Sequence, residues 1–451
     1  MHIFTLIAIL VVIAALLTWL NDRINKLPTS IGVMLGGLFI AAIVLLPPNP
    51  SPDDSWARTL VGTFNLSVLL LSLPDSEASQ GTGSLLGLLL FATAIRVEPS
   101  MFSRLRITLI TWLSTAGVII TAFGTAFLLW LFIWITEQQQ PYFIYMLLFG
   151  AILAPTDPVA VMDMFNKANV ATPIRDVIGG ESLVNDATSI IMFLVVLALI
   201  PNNARHDMMN ESVMAWLGMF GLEIGGGILV GAVIGFIATF LIRTSRKYEP
   251  IVFITIAAAV TTILLTPMIG GSVPLGSVTC GIIVGRSALV RREELANQAT
   301  SLWSVVETSL TTIIFLLVGL DLVGLNFALY TSALYGLATV PILILVRLVV
   351  VAIPWLFTKL LKKPALSWRD VIIMSWCGLR GTVSLAMAVC IPAGVVGIGK
   401  IKGEPIGEQM LIATFVVVLL TLTLQGLTLP ALVRFLYRKE RREKEALAAT
   451  E

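Results

Sequence analysis

The segment Gly180-Glu181-Ser182-Leu183-Val184-Asn185-Asp186 places two carboxylates, a hydroxyl and an amide at the approach to an apolar run that continues to Ile200. Charges tolerated at such a place mark ion pathways, because lipid cannot solvate them. On a helix, Ser182 and Asp186 are spaced i, i+4 and share a face, while Glu181 and Asn185 share the adjacent one, so the two faces can serve different tasks. Asp186 lies deeper in the run, where a proton and a small cation compete for one carboxylate. The plainer reading is a buried acid that stays protonated and hydrogen-bonded, with Ser182 and Thr156 as partners.

Two other apolar runs carry interruptions. In Pro155-Thr156-Asp157-Pro158 the prolines withdraw backbone donors, which predicts an unwound segment whose carbonyls can coordinate a cation. Half-helix N-termini facing such a break carry partial positive charge, which Asp157 can neutralise. A simple proline kink is the alternative, but a kink does not require an aspartate at membrane depth. The stretch Cys377-Gly378-Leu379-Arg380-Gly381-Thr382-Val383-Ser384 sets an arginine between two glycines near the centre of its run. A lone arginine there costs roughly 2.5 to 3.5 kcal/mol on insertion scales, so it needs a partner, and Glu181 is the expected one. Glu223, Glu307 and Arg347 lack a flanking break, and Asp163 and Asp321 lie near the ends of runs. All five read first as structural; Glu307 or Arg347 could still tune the site, although spacing alone brings neither to Asp186.

The elements that hold these groups follow from composition. Of the 451 residues, 57% are hydrophobic and only 12% charged, too little polar residue to cover a water-soluble fold. Apolar stretches of roughly 18 to 25 residues, enough to cross a hydrocarbon core of about 30 Å as helices, recur along the chain. Alternating β segments are missing, so the expected fold is an all-α multi-pass membrane protein. Thirteen spans are predicted, near 3–20, 29–46, 84–101, 107–135, 142–164, 176–200, 213–242, 250–268, 274–290, 301–320, 329–361, 371–391 and 409–436. The first lacks a basic leader and a cleavage site and reads as a retained helix. Thr59 to Leu73, ending at Pro74, is expected to stay at the outer face without spanning.

Basic residues orient the chain. With the C-terminus cytoplasmic, inner loops and helix ends hold 23 Lys/Arg against four outside, Arg58, Arg205, Lys400 and Lys402, which predicts an external N-terminus. The run Arg434 to Lys444 is an inner juxtamembrane anchor, with a lipid- or partner-binding patch as the alternative. Spans 1 to 6 and 8 to 13 start on opposite faces, the arrangement of two inverted six-helix repeats joined by span 7. In that register the two interrupted spans, 5 and 12, are equivalent.

Several classes of activity find no support. Cys280, Cys377 and Cys390 lie in apolar stretches without metal-ligand spacing and read as buried thiols. The only histidines are His2 and His206, and no HExxH, GxSxG or Walker-type sequence is present, so no enzyme and no nucleotide-driven pump is expected. An intramembrane enzyme built on Asp157 and Asp186 lacks any accompanying motif.

Ala154 to Val161, Gly180 to Asp186 and Gly378 to Ala386 resemble, in order and location, the cation:proton antiporter family of sodium/proton exchangers. The resemblance covers most of the chain and implies a homodimer. Span 1 and nearby helices would form the interface, and a moving core of about 84–200 and 301–436 would be built around broken, crossed spans 5 and 12. It implies Asp186 as the site shared by cation and proton, with Asp157 and Ser182 assisting through oxygen ligands or water. Thr156 would supply a hydroxyl or backbone oxygen, Asn185 would orient the site, and Glu181 would pair with Arg380. In the family an Asn-Asp pair, here Asn185-Asp186, goes with electroneutral one-for-one exchange. Some relatives carry a glutamate after Leu-Phe in span 3, whereas here Phe91 is followed by Ala92. Others add a large cytosolic regulatory domain, and regulation of that kind is not expected of this chain.

The expectation is therefore a membrane antiporter domain, 1–436, followed by a short basic tail, 437–451. It exchanges sodium for protons by alternating access, needs no cofactor and engages no nucleic acid, in a prokaryotic inner membrane where it serves pH homeostasis. Its partners are the transported ions, the bilayer and a second copy of the chain. A potassium- or lithium-preferring exchanger and a cation channel are the alternatives, although nothing in the sequence resembles a pore-filter loop.

Overall fold

The computed structural model describes residues 3–24, 32–33, 35–37, 39–40, 85–96, 104–137, 142–157, 161–162, 165, 173–200, 213–245, 247–286, 293–324, 330–360, 366–391 and 406–437. Among them all regular structure is helical, as the composition requires of a chain whose backbone must satisfy itself in lipid. Segment 59–83 and tail residues 438–451 lie outside the described residues, and most of the second expected span does too.

Six described stretches are long and apolar enough to cross a membrane: Ile107–Thr136, Ile174–Leu197, Gly221–Thr244, Tyr248–Met268, Thr331–Leu360 and Ile406–Leu436. The predicted spans near 84–101, 142–164 and 274–290 hold shorter described helices, and the one near 371–391 is divided by a break. In chain order, α1 is Ile3–Ile24, α2 Leu85–Ala94, α3 Arg104–Ser114, α4 Ala116–Glu137 and α5 Phe143–Ile152. There follow α6 Pro173–Ala198, α7 Val213–Thr244, α8 Tyr248–Met268, α9 Val273–Val284, α10 Glu293–Gly324 and α11 Tyr330–Leu360. The chain continues through α12 Trp368–Trp376, α13 Thr382–Val389, α14 Ile406–Leu420 and α15 Leu427–Leu436. A π-helical turn, Thr421–Gly426, joins α14 to α15. It precedes Pro430, whose ring and missing N–H disturb the backbone one turn upstream.

Two clusters of buried residues organise the described helices. The larger gathers α5, α6, α11, α13 and α14, with Leu148, Ile152, Ile190, Phe193, Val350, Leu385 and Val418 fully buried or nearly so. The smaller joins α2 to α7, α8, α9 and α10 through Phe91, Ala259, Cys280 and Trp303. There the Trp303 indole N–H donates to the Thr255 hydroxyl at 3.1 Å, which anchors α10 to α8. Outward faces are apolar instead of polar: Phe123 and Phe127 on α4, Phe236 and Phe240 on α7, Phe253 on α8 and Phe357 on α11 are all exposed. An apolar exterior is what lipid-facing helices present. Hydroxyls within the spans return to their own helices, as where Thr121 donates to Gly117 O at 2.7 Å and Thr262 to Ala258 O at 2.7 Å.

Candidate functional site

Both interruptions expected from sequence are present, and they meet. Helix α5 ends at Ile152, and Leu153 to Asp157 run without regular structure. Helix α12 ends at Trp376, and α13 begins only at Thr382. The Asp157 N–H donates to the Leu379 carbonyl at 2.8 Å, so one unwound segment is hydrogen-bonded directly to the other. Gly381 makes this approach possible, because a Cβ there would overlap the Asp157 carboxylate.

Arg380 lies between the breaks and is buried. Its Nη1 donates to the carbonyls of Ala154 at 2.7 Å and Pro155 at 2.9 Å, and its backbone N–H donates to the Thr421 hydroxyl at 3.3 Å. A helix that stops inside the membrane leaves terminal carbonyls unsatisfied and a partial negative charge at its end, and this guanidinium answers both. The expected pairing of Arg380 with Glu181 is therefore corrected. Glu181 instead receives two parallel hydrogen bonds from Arg347 of α11, Nη1 to Oε1 at 2.5 Å and Nη2 to Oε2 at 2.7 Å. Both members are at most 6% exposed, and the fork geometry suits a buried ion pair that must leave few polar atoms unmatched.

The remaining polar groups of α6 turn toward the first break. The Ser182 hydroxyl donates to the Thr156 carbonyl, and Asn185 Nδ2 donates to Thr156 Oγ1 at 2.8 Å. Ser182 and Asn185, spaced i, i+3, thus grip one threonine from two sides. Asp186, one residue on, is itself buried and lines a cavity shared with Thr156, Asp157, Gly381, Thr382 and Ser384 from the breaks and α13, Leu89, Leu90 and Thr93 from α2, and Glu307 and Thr311 from α10. Of the four ion ligands the sequence suggested, Asp186, Asp157 and Thr156 line this cavity. Ser182 stands behind it as a support for Thr156, in the same role as the site-orienting Asn185.

Glu307 is the residue that spacing alone did not bring to Asp186. Its Oε1 is 3.0 Å from the Thr93 hydroxyl, and its Oε2 accepts from Arg96 just beyond the end of α2. The Thr93 hydroxyl also reaches the Leu89 carbonyl at 3.1 Å. A signal was available, since Glu307 and Thr311 are spaced i, i+4 and form a polar stripe in an otherwise apolar run. Ala92 is buried in the cluster with Cys280 and Trp303 and does not line the cavity, so the third carboxylate there comes from α10. Among the described residues no three His, Cys, Asp or Glu side chains converge as a metal-chelating cluster. The arrangement instead offers a few carboxylates spread around one cavity with hydroxyl and carbonyl oxygens between them, a set that can hold a weakly bound monovalent cation or a proton.

Comparisons with known proteins agree with this architecture. The family model described as sodium/hydrogen exchanger, transmembrane, matches residues 7–435. The Na+/H+ antiporter NhaP of Pseudomonas aeruginosa is 30% identical over 450 residues, covering 97% of this chain and 98% of that protein. The low-affinity Na+/H+ antiporter NhaS1 of Synechocystis is 30% identical over 71% of this chain and 58% of its own length. The solved structure of the sodium proton antiporter MjNhaP1 from Methanocaldococcus jannaschii shares the fold with a TM-score of 0.70 at 20% identity, covering 96% of this chain and 98% of that one.

Proposed function

Because this chain belongs to the sodium/hydrogen exchanger family, whose members are membrane transporters and not enzymes, we propose that it exchanges one sodium ion for one proton, with both competing for Asp186. The observation that carries this reading is that the buried side chains of Asp186 and Asp157 line one cavity at the contact between two broken helices. A carboxylate in such a place binds a proton or a cation but has no room to hold both, and that exclusion couples the two fluxes. Thr156 supplies further oxygen, held in place by Ser182 and Asn185. Asn185, an uncharged neighbour to Asp186, supports electroneutral exchange.

The chain works by alternating access as a homodimer of thirteen-span protomers, each built of two inverted six-helix repeats with spans 5 and 12 crossed. The core comprises about 84–200 and 301–436, within a membrane domain of 1–436 and ahead of the basic tail 437–451. Lopsided basic residues support an external N-terminus and a cytoplasmic C-terminus in a prokaryotic inner membrane, where the exchange would serve pH homeostasis.

Proteoliposomes loaded with a pH dye test the reading when sodium, lithium or potassium is added outside. Sodium-driven proton movement in the wild type, abolished in Asp186→Asn, is the expected result, because an amide cannot trade a proton for a cation. Retained exchange in Asp186→Asn removes the carrier assignment, a stronger response to potassium or lithium renames the substrate, and cation flux without proton movement indicates a channel.

A further inference from the structure

We infer that Glu307 and Arg96 form a gate that admits cations to the cavity: an arriving monovalent cation displaces the Arg96 guanidinium from Glu307 on its way to Asp186. This rests on the exchange reading above and adds a specificity-determining carboxylate to it.

Glu307 lines the same cavity as Asp157 and Asp186 but sits on a different helix, α10, and is held by two groups from α2. The two members of its ion pair differ in access to solvent: the Glu307 side chain is 3% exposed and the Arg96 side chain 39%. Arg96 therefore has open space to swing into, and Glu307 does not. An arginine at the edge of a cavity, bound to a carboxylate inside it, occupies the position a cation would take. The Arg347–Glu181 pair, buried on both sides, offers no such release. A second observation points to a ligand in this cavity. Ser384 is fully buried, lines the cavity, and its hydroxyl has no hydrogen-bond partner among the described residues. A buried hydroxyl left so is costly, and a cation in the cavity would supply its missing partner. Arg96 lies just past α2, in the C-terminal part of predicted span 3, the end that the basic-residue pattern puts on the cytoplasmic side, so the gate serves cations arriving from the cytoplasm.

The test measures the apparent KM for sodium in proteoliposomes carrying the full chain, with sodium offered separately at each face. For sodium from the cytoplasmic face, Glu307→Gln is expected to raise KM about tenfold, equal to ~1.4 kcal/mol, the scale of losing one nearby charge. Arg96→Gln is expected to lower KM by removing the competitor, and Glu307→Asp should restore most of the loss. Opposite shifts, confined to one face, are something a merely structural ion pair does not produce. Equal shifts of the same sign, unchanged KM in both variants, or changes that appear only in the yield of folded protein overturn the gate. If a single variant does not fold, the double variant Arg96→Gln/Glu307→Gln leaves no lone charge: a KM above wild type supports the gate and a wild-type KM refutes it. Wild type that takes up radioactive sodium without moving protons refutes the exchange reading, while the uptake KM values of the variants still decide the gate.

Discussion

Arg347 and Arg380 carry the same guanidinium into the membrane interior and are stabilised in different ways. Arg347 is matched by a carboxylate, Arg380 by the carbonyls of a helix that stops short. Arg347→Ala leaves Glu181 buried and uncompensated, a loss of about 3 to 5 kcal/mol, which should appear as a large drop in melting temperature in detergent. Adding Glu181→Gln to that variant is expected to recover part of the drop; no recovery would show that the pair contributes little. The sequence displayed both arginines and the glutamate, yet spacing could not say who meets whom. The glycines around Arg380 drew the pairing there, whereas partner choice depends on which side chains the fold brings to α6. The free carbonyls that satisfy Arg380 exist only once α5 has ended at Ile152.

At the scale of elements, the breaks were the most legible feature of the chain. Pro155 withholds an N–H, and Gly378 and Gly381 weaken a helix, so both interruptions fall where composition alone puts them. Their crossing was implied only by the family resemblance, and the closeness of the contact not at all, because it depends on the Asp157 carboxylate fitting over a residue without a Cβ. Gly381→Ala is accordingly expected to push the segments apart and abolish exchange while leaving expression measurable, and transport at half the wild-type rate or more would contradict that close fit. The place of Glu307 in the cavity was hidden for a related reason. A single acid in an apolar run reads as an isolated structural charge until α2 brings Thr93 and Arg96 against it. The close contact of α7 with α9 was equally invisible: a Cβ on Gly231 would strike the Gly276 backbone, so these helices touch main chain to main chain.

For the whole molecule, the apolar exterior and the family likeness make membrane transport the shared conclusion of composition, fold and comparison. The proposed one-for-one stoichiometry has a measurable consequence. A cycle that moves one net charge gains about 2.3 kcal/mol per 100 mV, enough to shift the equilibrium ion ratio roughly fiftyfold, whereas electroneutral exchange does not respond. Setting the membrane potential at zero and then at about −100 mV with a potassium ionophore should leave the sodium-driven proton movement unchanged. A strong response would assign a different stoichiometry. The ion pairs described above also define the molecule's formal charge where it matters. Among the described residues around the two breaks, the carboxylates are Asp157, Glu181, Asp186 and Glu307 and the guanidiniums are Arg96, Arg347 and Arg380. With all of them ionised, one negative charge is left over, and a single proton or a single sodium ion cancels it. In the proposed cycle the empty site then carries a net negative charge inside a hydrocarbon slab and the loaded one does not, so the same pairing that holds the helices together would also discourage the empty carrier from turning over and leaking away the gradient.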